Sequence, residues 1–584
     1  MPELKCHKGV PQYTLEHYEK DFKDRHLVHG VIAKFAKETP DKIAIIDAET
    51  NQQVTYAELD RTTTALALQL LKMGFKKGDF FATHLPLLLE HIYLEYACFK
   101  LGVIVAPIDL RLKANEVVRC LELIKAKGFA FLGKTPRGDF SELGRAIMQS
   151  CPYIECFIQF VAPGEEIGGA ISAFVVAAQA TQTAEEAMKD PSNSSILKTY
   201  MQAASRVKED DGALVIYTTG STGLPKPALL SHRNTTCQNM CLGGAFGFGK
   251  DAKMLVNLPP SHVGCQTEQM MTTFFWGGTS VILHIFDPEK TLKAIQDYKA
   301  TTLGQIPALF AMEWRLPNYN QYDLSSLEFA IYGGQQVPKQ FLEKLSTMAP
   351  KFGTGLGLTE TAGFVTYTAP DATVDDIAAS IGYDMPVTPM TIRKPMNPDG
   401  TAGDELPDGT IGEVCFAGPQ IFIEYVNNEE AYRKTVSKEG ICYTGDLGYK
   451  SEKGLQMVGR SKWVIKPKGY QVYPAQVEDH FCMLADKVAA CGIVGAEHEV
   501  FSEAIVAFVE KKPNVGLTVE ELKEHAKKIA SYMRPLCYVI IEPNTMPLNR
   551  VAKTDYLVLV EWAKKEVANL RALGGWDKGP IEKD

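Results

Sequence analysis

At 584 residues, 45% of them hydrophobic, the chain is longer than one hydrophobic core usually supports and implies at least two domains. A net charge of -9 and a pI of 5.8 exclude the clustered basic surface with which proteins grip nucleic acid, and mild acidity of this kind serves solubility. The 13 cysteines are odd in number and scattered from Cys6 to Cys537, which suits reduced thiols in a cytoplasmic protein rather than a disulfide framework.

In chain order, residues 1–24 are polar and lack the apolar core of a signal peptide. Residues 80–83 read as a strand. Leu89, Ile92, Tyr93, Tyr96 and Phe99 follow at helical spacing, Gly102 ends that helix, and residues 103–106 form a second strand before Pro107. Strand, helix, strand with short connections is a βαβ unit, which implies a parallel sheet with helices on its faces. The Ala- and Ser-rich stretch 140–206 is expected to pack as helices on the outside. Within it, residues 167–180 are too short to span a bilayer, are interrupted by Ser172 and Gln179, and read as a buried helix. Cys237 and Cys241 share a helix face, with no second Cys or His pair at zinc-site spacing near them.

The alternation returns at residues 213–217, 280–283 and 329–332, with a helical run at 340–348, so residues 1–460 read as a large multi-sheet α/β body. Beyond Gly459 short strands (472–473, 490–494, 504–509) alternate with helical runs (476–484, 519–530). Residues 461–584 therefore form a small α+β domain. There is no internal repeat.

The sharpest chemical signal is Tyr217-Thr-Thr-Gly-Ser-Thr-Gly-Leu-Pro-Lys226, directly after an apolar strand. Glycines let backbone N–H groups approach an anion, hydroxyls add donors and the lysine adds charge, so the loop is built to hold phosphates. It is not a P-loop, because Pro225 stands where that loop needs Gly and Pro227 where it needs Ser or Thr.

With this loop, and with further motifs in matching order from Val54-Thr-Tyr-Ala-Glu58 to Lys553, the chain resembles the adenylate-forming superfamily. That group comprises acyl-CoA synthetases, nonribosomal peptide synthetase adenylation domains and firefly luciferase. The resemblance implies that Thr218, Thr219, Gly220, Ser221, Thr222, Gly223 and Lys226 hold phosphate. It implies that Gly333, Gly334 and Gln335 of Ile331-Tyr-Gly-Gly-Gln335 support adenine. In Leu356-Gly-Leu-Thr-Glu360, Gly357 belongs to the same nucleotide wall, Thr359 meets the α-phosphate and Glu360 binds Mg²⁺, a hard ion that seeks oxygen. Asp446 of Tyr443-Thr-Gly-Asp446 would accept from the ribose hydroxyls, with Arg460 beside it. Lys462 falls at the hinge position, and Lys466 and Gly469 lie in the loop that lines the pantetheine tunnel. Lys553 is the main catalytic cation, and His262 of Pro259-Pro-Ser-His262-Val-Gly264 is the gate at the acyl site.

Four departures accompany the resemblance: Leu356 for the usual Tyr, which removes an aromatic partner for adenine, Pro227 and Ala552 for glycines, and Gly264 one position early. What the resemblance implies is an AMP-forming acyl-CoA synthetase that uses ATP, Mg²⁺ and coenzyme A. Its acid is expected to be short or medium-chain, cyclic or aromatic, in a pocket bordered by His262, Val263, Gly264, Tyr332 and Gly357. Two other readings stay open: a ligase of the same fold that loads a carrier protein, and a catalytically silent binding protein. That no carrier domain follows Asp584 favours free coenzyme A. No membrane span and no nucleic-acid partner are expected.

Overall fold

The computed structural model describes residues 4–135, 138–219, 225–467, 470–549 and 553–577. The βαβ unit is present, as strand Phe80–His84, helix Leu89–Leu101 and strand Ile104–Pro107, with the two strands parallel and Phe81 opposite Val105. The helix is buried nearly all round and stops at Gly102, which adopts a left-handed conformation (φ 69°, ψ 24°) and donates its N–H to the Cys98 and Phe99 carbonyls. A residue with a Cβ disfavours that conformation, so the glycine sets the length of the helix.

These strands belong to an eight-stranded sheet ordered Ile171–Ser172, Cys156–Phe160, Gly128–Leu132, Phe80–His84, Ile104–Pro107, Gly212–Thr219, Pro225–Ser231 and Glu424–Tyr425. The first six run parallel, Pro225–Ser231 pairs antiparallel with Gly212–Thr219, and Glu424–Tyr425 pairs antiparallel with Pro225–Ser231. A second sheet of seven strands runs Lys351–Gly353, Phe329–Tyr332, Thr302–Gln305, Lys253–Val256, Thr279–Ile282, Ile43–Asp47 and Gln53–Thr55. Strands rich in Val, Ile and Leu suit sheets covered on both faces. The largest core joins the two sheets, with side chains of helices Leu89–Leu101 and His232–Ala245 packed between Phe81, Leu214, Ile216, Met254, Val256 and Ile282. A third, antiparallel sheet (Met390–Arg393, Gly412–Phe416, Cys442–Ser451, Gly454–Arg460) closes the N-terminal body.

The C-terminal unit is a three-stranded sheet (Val488–His498, Ser502–Lys511, Cys537–Ile541) with helices Pro474–Cys482, Val519–Ala526 and Tyr556–Ala572. It carries apolar clusters of its own, one under the first two helices and one under the last. The expected strand at 472–473 is a single bridge between Val472 and Ile465.

The stretch 140–206 departs from its all-helical reading, because Cys156–Phe160 and Ile171–Ser172 extend the eight-stranded sheet. The helix expected over 167–180 is Ala173–Lys189 instead, and it is not buried. One stripe, Val176, Ala180, Thr183 and Ala187, packs inward while Phe174 and Met188 are exposed. Its apolar residues recur every three to four positions, which gives a surface helix, and Ser172 caps it by accepting from the Phe174 amide. Among the described residues no helix is long and apolar enough to cross a membrane.

Candidate active site

A cavity of about 820 Å³ opens where the carboxyl ends of strands Thr302–Gln305 and Phe329–Tyr332 meet the hairpin Gly212–Thr219/Pro225–Ser231, the third sheet and the C-terminal unit. Ligands of open parallel sheets bind at such strand ends, and the volume suits a nucleotide with a small acid.

On the hairpin side Thr218 and Lys226 are register partners, and both line the cavity. Lys226 Nζ stands 5.2 Å from the centre of the Tyr425 ring, a cation–π placement. The Tyr425 hydroxyl donates to Glu360 Oε1 at 2.5 Å, and the Phe422 amide donates to the Glu360 carbonyl at 2.9 Å. Burial, then the Glu360 charge, push the Tyr425 pKa up, so the phenol stays a donor. Glu360, Thr218 and Thr359 all line the cavity and carry hard oxygen donors. That set fits Mg²⁺, which keeps several waters and takes further ligands from phosphate.

A second wall comes from the third sheet. Asp446 and Arg460 are cross-strand partners, and Arg460 Nε lies 2.8 Å from Asp446 Oδ1. Asp446 is 5% exposed, and burial raises its pKa against the pull of Arg460 and Lys553. The turn before it is fixed by Glu413, whose Oε1 accepts from the Gly445 amide at 2.9 Å, and by Thr444, whose hydroxyl donates to the Val414 carbonyl at 2.8 Å. Arg460, Ser461 and Lys462 continue the lining. Burial, then Arg460 and Lys226, lower the Lys462 pKa.

Lys553 enters from the C-terminal unit. A β-carbon placed on Gly334 would lie 3.2 Å from Lys553 Cε and 3.6 Å from Nζ, and Gly334 has φ 96°, so both conformation and the lysine stem require glycine there. Asn549 Oδ1 accepts from the Lys553 amide at 3.1 Å. Burial lowers the Lys553 pKa and Arg460 lowers it further, against Asp446 and Glu268. His262 lines the same cavity. Its loop is pinned by Gln266, which donates to the Pro260 carbonyl at 3.1 Å and to buried Glu95 at 2.7 Å. Burial, then the Lys553 charge, hold the His262 pKa down to about 4, so the imidazole is neutral at pH 7.

Of the expected residues, Thr218, Lys226, His262, Gly333, Gly334, Gly357, Thr359, Glu360, Arg460 and Lys553 line one cavity, with Asp446 directly behind Arg460. Three are placed elsewhere. Leu356 packs against Val365, Met390, Ile392, Val414 and Leu455, Gln335 is exposed beyond the strand end, and Lys466 is exposed with its amide donating to Glu503 at 2.6 Å. Gly220, Ser221, Thr222, Gly223, Gly469 and Ala552, and the side chain of Thr219, lie outside the described residues.

Four residues of the site were missed in the sequence: Tyr425, Glu268, Gln305 and Glu313. Gln305 lines the cavity and donates to both oxygens of buried Glu313 at 2.9 Å. Burial raises the Glu313 pKa to about 8, so it is mostly protonated at pH 7. The signal available for Glu313 was a lone carboxylate in an apolar helical run; for Glu268, flanked by Thr267 and Gln269, and for Tyr425 there was none.

The sequence profile of the AMP-binding enzyme family matches residues 32–426, and that of the AMP-binding enzyme C-terminal domain matches residues 478–553. The 4-coumarate–CoA ligase CCL1 of Humulus lupulus is 26% identical over 87% of this chain and 89% of its own. The mitochondrial medium-chain acyl-CoA ligase ACSF2 of Macaca fascicularis is 24% identical over 91% and 86%. In fold, the chain superimposes on ATP-bound MatB from Rhodopseudomonas palustris with a TM-score of 0.74 at 22% identity, covering 92% of this chain and 99% of that one. The anthranilate CoA ligase AuaEII bound to anthranoyl-AMP gives 0.78 at 18% identity, covering 93% and 98%.

Proposed function

We propose, since this chain belongs to the AMP-binding enzyme family of adenylate-forming acid–thiol ligases, that it is an AMP-forming acyl-CoA synthetase. The observation that carries this reading is the delivery of Lys553 from the C-terminal unit to Gly334, inside a cavity already lined by Thr218, Glu360 and Arg460.

In the first half-reaction a carboxylate oxygen attacks the α-phosphorus of ATP and pyrophosphate leaves. Two anions must meet, so the work is positioning and charge stabilisation. Lys553 faces the carboxylate and α-phosphate, Thr218, Lys226 and Thr359 hold phosphate oxygens, and Asp446 with Arg460 orients the ribose. A magnesium ion held at Glu360 supplies neutralisation of phosphate charge. In the second half-reaction the thiolate of coenzyme A attacks the acyl carbon and AMP leaves. We place the domain boundary after residue 460 with the hinge at Lys462, so that turning residues 461–584 withdraws Lys553 and presents the 466–469 loop to the thiol. Trp463, next to the hinge, stacks on Tyr556 with ring centres 5.4 Å apart, which ties the hinge turn to the helix that follows Lys553.

The walls contributed by Leu242, Phe248, Met254, Val263, Ile331 and Phe364 favour a compact acid, short or medium-chain, cyclic or aromatic. The 13 free thiols suit a reducing compartment such as the cytoplasm. The test is a panel of acids with ATP and Mg²⁺, measuring AMP with and without coenzyme A. Coenzyme A-dependent AMP together with an acyl thioester is expected. AMP that forms at the same rate without any thiol would favour an enzyme that stops at the adenylate.

A further inference from the structure

The wall of the acyl pocket that follows His262 is a π-helix, Gly264–Met271. Such wide turns are rare in proteins and concentrate at functional sites. Its residues on either side of position 268 are fixed by hydrogen bonds to other elements. Thr267 donates to the Ala362 carbonyl at 2.7 Å, and Gln269 donates to the Gly304 carbonyl at 2.5 Å and to Asn257 Oδ1 at 3.2 Å. Between them Glu268 is turned into the cavity, which it lines together with His262, Gly264 and Phe364.

Its carboxyl is closely located by the glycines around it. A β-carbon on Gly264 would sit 3.7 Å from Glu268 Oε2 and 3.8 Å from His262 Nδ1, and one on Gly363 would sit 2.9 Å from Glu268 Oε1. Gly363 has φ 126°, so the chain passes there as bare backbone and leaves the carboxyl its space. The backbone amide of Phe364 favours the charged form of the carboxyl. A carboxylate offers about four acceptor positions, so one amide leaves acceptor capacity directed at the pocket. Leu242, Met254, Leu258, Val263 and Phe364 contribute apolar side chains to the lining of this cavity. Burial accordingly lifts the Glu268 pKa to about 7, against the pull of Lys553 and of the Phe364 amide.

A carboxyl in an apolar pocket is costly unless its lone pairs are matched, and the space beside this one is where the acyl group of a bound acid lies. Lys553 marks the carboxylate end of that space at Gly334, and Glu268 marks the wall beyond His262. A purely hydrocarbon acid would bury the carboxyl with its pocket-facing acceptor positions unmatched. An acid with a hydroxyl or amine on its acyl portion would supply the missing donor. We propose that Glu268 is the specificity-determining residue of this pocket and selects carboxylic acids that carry a hydrogen-bond donor, hydroxyl or amine, on the acyl portion.

The proposal rests on the synthetase reading above, and its test separates the two. Matched acids are compared: meta-hydroxybenzoate and meta-aminobenzoate against benzoate, and ω-hydroxyhexanoate and ω-aminohexanoate against hexanoate. The ratio of kcat/KM for pyrophosphate release within each set is measured in the full-length enzyme and in Glu268→Leu and Glu268→Gln. Calorimetric binding of the same acids gives a second ratio that needs no turnover. The native enzyme is expected to favour at least one donor-bearing acid by roughly 100-fold over its hydrocarbon partner, as sites built around a polar group do. Glu268→Leu should bring that ratio to about one or reverse it by raising kcat/KM for the hydrocarbon acid. Glu268→Gln, which keeps shape and an acceptor, should retain hydroxyl preference and lose amine preference, and it keeps the test valid if the leucine variant does not fold. A ratio that stays within about twofold of native in both variants, or a native preference for the hydrocarbon acids, overturns the proposal. Absence of turnover with every acid would overturn the synthetase reading while the binding ratios still decide the role of Glu268, and failure of every donor-bearing acid to bind overturns the latter.

Discussion

Replacing Lys553 by alanine removes the side chain that the C-terminal unit inserts at Gly334, and its effect can be sized from that placement. A ligand oxygen taking the free space at Gly334 would stand about as far from the ammonium as the β-carbon position there, which is 3.6 Å from Nζ. Unit charges about 4 Å apart interact by about 4 kcal/mol at the effective dielectric of about 20 that suits protein sites. Loss of single preorganised donors in other enzymes costs about 10²- to 10³-fold, so the two estimates agree. Acyl-adenylate formation by Lys553→Ala should fall by roughly 10²- to 10³-fold in single-turnover quench experiments. Thioester formation from supplied acyl-adenylate and coenzyme A should be affected far less. The lysine pKa is lowered by burial and by Arg460. The native adenylation rate should therefore decline as pH rises through a value below that of free lysine, and this alkaline limb should vanish in the variant. Equal losses in both half-reactions would refute the assignment of Lys553 to adenylation alone and with it the exchange of Lys553 for the 466–469 loop.

Glu360→Gln keeps an oxygen for the Tyr425 hydroxyl but removes the charge. The Mg²⁺ concentration for half-maximal pyrophosphate release should rise at least roughly tenfold, and release at full native rate in chelator would show that Glu360 has no such role. Glu313 has a folded pKa of about 8 against an ordinary value of 4.5. A raised carboxyl pKa gives stability that is complete below the unfolded value and lost as pH rises through the folded one. Urea unfolding between roughly pH 6 and roughly pH 9 should show a loss on the order of 2–3 kcal/mol that Glu313→Gln removes. A wild-type pH profile matching that of the variant would contradict the buried, protonated Glu313. Because Leu356 packs under the third sheet, Leu356→Tyr should overfill that cluster and cost about 1–3 kcal/mol of stability with no gain in ATP affinity; tighter ATP binding would show that position 356 reaches the nucleotide.

The pattern of apolar runs sufficed for the βαβ unit because helix 89–101 has an unambiguous stop at Gly102 and its flanking strands are buried on both faces. It failed for 167–180, where apolar content alone hid a one-sided periodicity, and at 156–160, where a short buried strand looks like a segment of helix. In the site, residues carried on contiguous motifs were legible: Thr218, Lys226, Gly333, Gly334, Thr359, Glu360, Arg460 and Lys553 converge on one cavity. Residues whose position comes from a distant partner were not. Tyr425 reaches Glu360 only because strand Glu424–Tyr425 pairs with Pro225–Ser231, a pairing nearly 200 residues apart that no local spacing encodes. Leu356 shows the opposite limit, since its position in a motif did not reveal that its side chain turns into an apolar cluster.

In the proposed reaction a carboxylate oxygen bonds to the α-phosphorus and stays with AMP when the thiol displaces it. An acid labelled with heavy oxygen in its carboxylate is therefore the most direct probe, with ATP, Mg²⁺ and coenzyme A present and the phosphate-containing products separated by mass spectrometry. One labelled oxygen should appear in AMP for each thioester formed, and none in pyrophosphate. Label in inorganic phosphate with ADP as the nucleotide product, or unlabelled AMP alongside thioester, would contradict the acyl-adenylate route.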